Sequence, residues 1–189
     1  VARQAKAIAL LVLGMALWPG RAARAGDPHI FRLDVEVRGN EVWISFAMRG
    51  AVDPELARRL QSGLDTAIDY DIRLFERNRY WFDQFLEKHR LRIAAAYDAI
   101  SREYVVRDFW DGEAAGTRSA RSFAEMTEIL LSRSAIRAFR VHKDWPHKHL
   151  YVKMKATYNT GHFVALAPVS SASDWKKSQT FKIHDADLK

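Results

Sequence analysis

The sequence predicts an α+β fold, mainly antiparallel β: a sandwich-like sheet of hairpins carrying two short helices. Three observations lead there. Apolar and polar residues alternate on both sides of Gly39-Asn40, the alternation returns around Ile100-Ser101, and helix punctuation brackets Asp53 to Gly63. Period-two patterning joined by short turns is the signature of antiparallel pairs, and nothing suggests the strand–helix–strand rhythm of a parallel sheet.

Phe31, Leu33, Val35 and Val37 alternate with polar neighbours, and Val42, Ile44, Phe46 and Met48 resume the phase after Gly39-Asn40. A two-residue loop there places Val37 opposite Val42, Val35 opposite Ile44, Leu33 opposite Phe46 and Phe31 opposite Met48, all on one face. Slipping the register by one residue would scatter them. Asp53 is then an N-cap acid, Pro54 a first helical residue, Gly63 a stop, and Leu56 and Leu60 share a face, which predicts a short helix. Ile68, Tyr70, Ile72 and Leu74 predict a long strand whose outward side carries Asp69, Asp71 and Arg73. Tyr80 to Lys88 fits one helical turn or a bulged strand, and the bulged strand is favoured.

Leu91, Ile93, Ala95 and Tyr97 open a second hairpin, with Tyr97 expected opposite Tyr104 and Ala95 opposite Val106. Glu113 to Ser122 reads as a Gly, Ser and Arg loop. Phe123, Met126, Thr127, Leu130 and Leu131 have the spacing of a second helix. Ile136 to Val141 and Leu150 to Tyr158 are expected to pair, the latter with Leu150, Val152, Met154 and Ala156 inward, and Thr180 to His184 to add a short edge strand.

The N-terminus has a different character. Arg3 and Lys6 precede an apolar run from Ala7 to Trp18, closed by Pro19-Gly20, and small Ala23 and Ala25 stand where a signal peptidase inspects its substrate. Twelve residues are too few to cross a bilayer, which takes roughly 18–20. The expectation is a cleavable signal peptide over residues 1–25, then a single envelope domain over 26–189; the alternative is an uncleaved anchor. Val1 suggests an alternative start codon translated literally, hence a bacterial periplasm, with inner-membrane association left open.

The segment 1–25 takes four of the 30 basic residues and none of the 23 acidic ones, so the net charge of +7 falls to +3. The remaining cations are scattered among acids along the chain, which argues against a nucleic-acid partner. With no cysteine, disulfides, thiolate metal sites, a cysteine nucleophile and a lipid anchor on cysteine are excluded together.

Signatures of nucleophilic elbows, zinc proteases and phosphate loops are missing, which lowers the prior for an enzyme. Two stretches carry chemistry. His142, His147 and His149 sit in one loop; His147 and His149, two apart on an extended chain, point the same way, and His142 could complete a three-nitrogen zinc or copper site. Against this, Lys143 and Lys148 would repel a dication, and a solvated loop accounts for the same residues. Arg77, Arg79, Tyr80, Trp81 and Phe82 mix cations with three successive aromatics, a composition found at protein contacts and membrane–water boundaries. Filling the core is the competing explanation, but three consecutive strand residues cannot all face inward. Asp65, Asp69 and Asp71 are best read as a wetted face.

Asp53-Pro54-Glu55-Leu56 leading to Ser62-Gly63, the strand Ile68 to Arg73 running into Arg77 to Phe82, the string from Tyr97 to Tyr104, and the late Trp175 together resemble the bacterial domain-of-unknown-function family 4390. The resemblance spans most of residues 26–189. It implies an exported or membrane-associated proteobacterial protein and supplies no catalytic or binding residues to carry over; the histidine loop is not a feature it implies. The leading expectation is a non-enzymatic periplasmic or membrane-peripheral module, without cofactor, that binds an envelope protein through the aromatic-basic segment and can touch a membrane surface. The alternative is a metal-binding or metal-dependent hydrolytic protein using the histidine loop.

Overall fold

A computed structural model describes residues 28–52, 55–164 and 167–183. The expected signal peptide, the Asp53-Pro54 helix start and His184 lie outside the described residues. Among the described residues ten strands and two helices follow in the order β1 (His29–Arg38), β2 (Glu41–Arg49), α1 (Leu56–Gln61), β3 (Thr66–Glu76), β4 (Gln84–Asp98), β5 (Glu103–Trp110), β6 (Glu113–Ala120), α2 (Phe123–Leu131), β7 (Ser132–Arg140), β8 (Leu150–Val164), β9 (Ala167–Ala172) and β10 (Lys176–Lys177). They build two antiparallel sheets in a sandwich-like α+β arrangement. The small sheet runs β1-β2-β7, the large one β10-β8-β3-β4-β5-β6, with β9 also on β8.

The first hairpin has the expected register from Val37–Val42 to Leu33–Phe46. Gly39 takes positive φ (57°) and Asn40 does not, the pattern of a II′ turn. A shift beyond Leu33 brings Ile30, in place of Phe31, opposite Met48. Ile30 is therefore buried, while Phe31 turns outward under the guanidinium of Arg49, 4.2 Å from its ring centre. In the second hairpin Tyr97 faces Tyr104 and Ala95 faces Val106, as expected.

The core lies between the sheets. Phe46 and Tyr70 meet with ring centres 4.6 Å apart, and the Tyr70 hydroxyl donates to the Leu130 carbonyl at 3.0 Å, tying α2 to the large sheet. Burial pushes the Tyr70 phenol well above its ordinary range. Leu56 and Leu60 of α1 and Met126 and Leu130 of α2 are buried. Ser122 caps α2 by accepting the Glu125 backbone N–H at 3.1 Å.

Four further expectations need correction. Residues 77–83 form a loop, and the strand begins only at Gln84; the expected bulge is present, Leu86 being the extra residue between the pairs Leu74–Glu87 and Phe75–Phe85. Glu113 to Ala120 is the edge strand β6 and no loop, joined to β5 by Asp111-Gly112, both at positive φ as an I′ turn requires. Strands β7 and β8 do not pair: β7 completes the small sheet on β2 and β8 adds to β3. The segment 141–149 is thus a crossing between layers that stand about 10 Å apart. Finally, the expected C-terminal strand reduces to one bridge, Phe181 to Leu150.

Candidate interaction surface

The hairpin β3–β4 ends in the loop that carries Arg77 to Phe82. Tyr80, Trp81 and Phe82 are 86%, 78% and 85% exposed, so none of the three fills the core. Local hydrogen bonds shape the loop. The Asn78 side-chain oxygen accepts the Tyr80 N–H at 3.1 Å, and Asp83 accepts the Asn78 N–H at 3.2 Å and the Tyr151 hydroxyl at 2.6 Å. The Tyr151 bond, first among its influences, holds the Asp83 carboxyl below the usual carboxylate range; burial and Asp83 push the Tyr151 phenol up. The Arg79 guanidinium lies 5.8 Å from the Tyr80 ring centre, and Phe85, edge-on to Phe75, is 51% exposed.

Behind the tip, the Arg77 N–H donates to the His149 carbonyl at 2.7 Å, prolonging the β3–β8 ladder, and Arg77, Asn78, Arg79 and His149 line a cavity of about 360 Å³.

The loop histidines go three ways. His149 stands beside the basic tip. His147 takes positive φ (68°) and its N–H donates to the Ile183 carbonyl at 3.1 Å, fastening the tail. His142 leans on Trp145, ring centres 4.8 Å apart, with its Nε2 3.9 Å from Glu87. Among the described residues no group of three or more His, Asp or Glu side chains is placed to hold a metal ion.

A cluster that sequence reasoning missed lies where β4 and β5 meet β7. His89 Nδ1 is 2.6 Å from Asp111 and its Nε2 2.9 Å from Glu87, while the ring packs between Trp110 and Phe139, both at 5.3 Å. Each ring nitrogen faces a carboxylate, and a neutral imidazole can donate to only one of them. Among the described residues the buried Glu87 Oε2 atom finds no hydrogen-bond partner. Asp-Gly, a strong short-range hairpin signal, was the clue available in the sequence: that turn fixes Asp111, which also accepts the Arg90 N–H at 2.7 Å.

The large sheet's outer face is the other surface of note. Registers place Lys153, Arg73 and Lys88 side by side on β8, β3 and β4; the next row is Lys155, Asp71 and Arg90, and the next Thr157, Asp69, Arg92 and Phe109. Arg73 donates twice to Asp71, at 2.8 Å each, and this pairing first, then the charges of Lys88 and Arg90, holds the Asp71 carboxyl below its ordinary value. Cations that look scattered along the chain are gathered by strand pairing.

The model of the family described as domain of unknown function DUF4390 matches residues 25–177. The chain belongs to this family. No curated protein and no solved structure matches it. In this DUF4390 protein the family match takes in the aromatic tip, the outer basic face and the His89 cluster.

Proposed function

We propose that this DUF4390 protein is an exported, non-enzymatic module of the bacterial cell envelope that docks onto an envelope protein through the β3–β4 tip. The observation that carries the reading is the triple exposure of Tyr80, Trp81 and Phe82. At roughly 200 Å² per aromatic side chain, these exposures leave about 500 Å² of mostly apolar surface in water. That is a large part of the roughly 800 Å² that each partner contributes to a stable protein interface. Aromatics and arginine are the residues in which binding energy concentrates, and the loop's own hydrogen bonds reduce the ordering cost of docking. Export is supported by the leader-like pattern of residues 1–25, just ahead of the residues that the family match covers.

The test is in-cell photo-crosslinking from position 81, with position 100 as control, since Ile100 is 95% exposed at the other end of β4. The expected result is one protein adduct from position 81, none from position 100, loss of that adduct in Tyr80→Ser/Phe82→Ser, and a mature N-terminus at Gly26. Equal adducts from both positions would remove the docking role; an intact leader on the envelope-free protein would remove export.

A further inference from the structure

The row Lys153, Arg73 and Lys88 is the least expected feature of the large sheet. Like charges directly opposite one another on neighbouring strands destabilise a sheet. Here three stand abreast, Lys177 of β10 adds a fourth beside Lys153, and the next row adds Lys155 and Arg90 around the single carboxylate of Asp71. Asp71 is already engaged by both donors of Arg73 and lies 3.7 Å from Lys88. With Arg92, which lies 3.4 Å from Asp69, these three rows of β8, β3 and β4 hold six cations to two carboxylates, Asp69 and Asp71. A same-face step along a strand is about 6.8 Å and strands lie about 4.8 Å apart, so the array covers roughly 10 by 14 Å, wider than one phosphate group.

The face is also shaped. Lys88, Arg90 and Arg92 outnumber the carboxylates Asp69 and Asp111 around a cavity of about 470 Å³ that His89, Phe109 and Gly112 help to line. On the other side of the array Trp175 lies 4.6 Å from the Arg73 guanidinium and 6.0 Å from the Lys155 ammonium, and 39% of it remains exposed. An amphipathic indole level with a bed of cations is the composition of a membrane–water boundary.

We propose that the outer face of the β8-β3-β4 layer is a docking surface for anionic phospholipid headgroups, with Lys88, Arg90 and Lys153 as its principal contacts. This surface is distinct from the tip, and the two proposals stand separately. A module held flat by its sheet face would still present the tip to a partner.

The experiment is co-sedimentation of the purified chain, residues 26–189, with vesicles of phosphatidylglycerol and phosphatidylcholine, compared with phosphatidylcholine alone. Binding is expected only to the anionic vesicles and to weaken steeply between 50 and 300 mM salt, both figures being approximate working conditions. Each headgroup-facing cation removed should weaken binding about fivefold, so Lys88→Gln/Arg90→Gln/Lys153→Gln should lose roughly 100-fold while retaining the parent's circular dichroism. Trp81→Ser should bind as the parent does. Equal binding to both vesicle types, no binding at low salt, or undiminished binding by the folded triple variant would overturn the proposal. So would displacement by inorganic phosphate or by an oligonucleotide at concentrations that leave the ionic strength unchanged, since the face would then serve a soluble anion or a nucleic acid.

Discussion

Asp108 faces the interior of the sandwich from β5, where Tyr104 and Val106 set the inward phase, and meets Arg133 of β7 across the two sheets. Arg133 is only 7% exposed. Its guanidinium donates to Asp108 at 2.7 Å and to the Ser132 carbonyl at 2.8 Å, and among the described residues its Nε has no partner. Burial is the main influence on this guanidinium and pulls its pKa down; Asp108 pulls it back. Replacing Asp108 by Asn keeps the volume and removes the countercharge. A buried charge so deprived costs about 3–5 kcal/mol, set against a total stability of about 5–15 kcal/mol for a domain. Arg118, which shares Asp108, has a side chain 44% exposed and can turn to water, so its share of the loss is small. With a urea dependence of about 2 kcal/mol per molar, the unfolding midpoint should fall by about 2 M. The double variant Asp108→Ala/Arg133→Met, which takes away both charges, should recover most of that loss. A midpoint shift below about 0.5 M in Asp108→Asn would refute the reasoning, because the guanidinium would then be finding water inside the sandwich.

Tyr70→Phe removes the hydroxyl that holds the Leu130 carbonyl and leaves that acceptor unpaired; a loss of about 1 kcal/mol is expected, read as a fall of about 2–4 °C in the thermal midpoint. Asp71 is held below its ordinary pKa, so its contribution to stability is complete above about pH 4 and is lost as the pH falls through the lower folded value. Asp71→Asn should therefore flatten the acid limb of a stability–pH profile while costing less than about 1 kcal/mol at neutral pH.

Strand phase and local pairing were legible in the residues. The second hairpin held its register, and the first held it from the turn to Leu33–Phe46, because each is closed by a short turn, so alternation and loop length fix the pairing near it without reference to the rest of the chain. A bulge within Tyr80 to Lys88 was also anticipated, and pairing with β3 places it at Leu86. Strand β6 escaped because Ala114, Ala115 and Gly116 show no alternation and the strand buries only Ala120; its existence rests on hydrogen bonds offered by β5. The candidate site was half legible. Three adjacent aromatics announced that at least one must leave the core, but that all three do depends on the hairpin turning at residues 77–83, beyond the cover of either sheet.

What the sequence determined alone is therefore local: which residues alternate, where Gly39 and Gly63 allow the chain to stop or turn, and which helix faces are apolar. Tertiary structure alone decided which strands meet across long separations. That choice sent β7 and β8 into different sheets, dispersed the three loop histidines, joined His89 to Asp111, and laid Lys153 of β8 beside Arg73 and Lys88. Long-range pairing is set by how two whole sheets bury their inner faces, a sum over the entire core that no window of neighbouring residues contains.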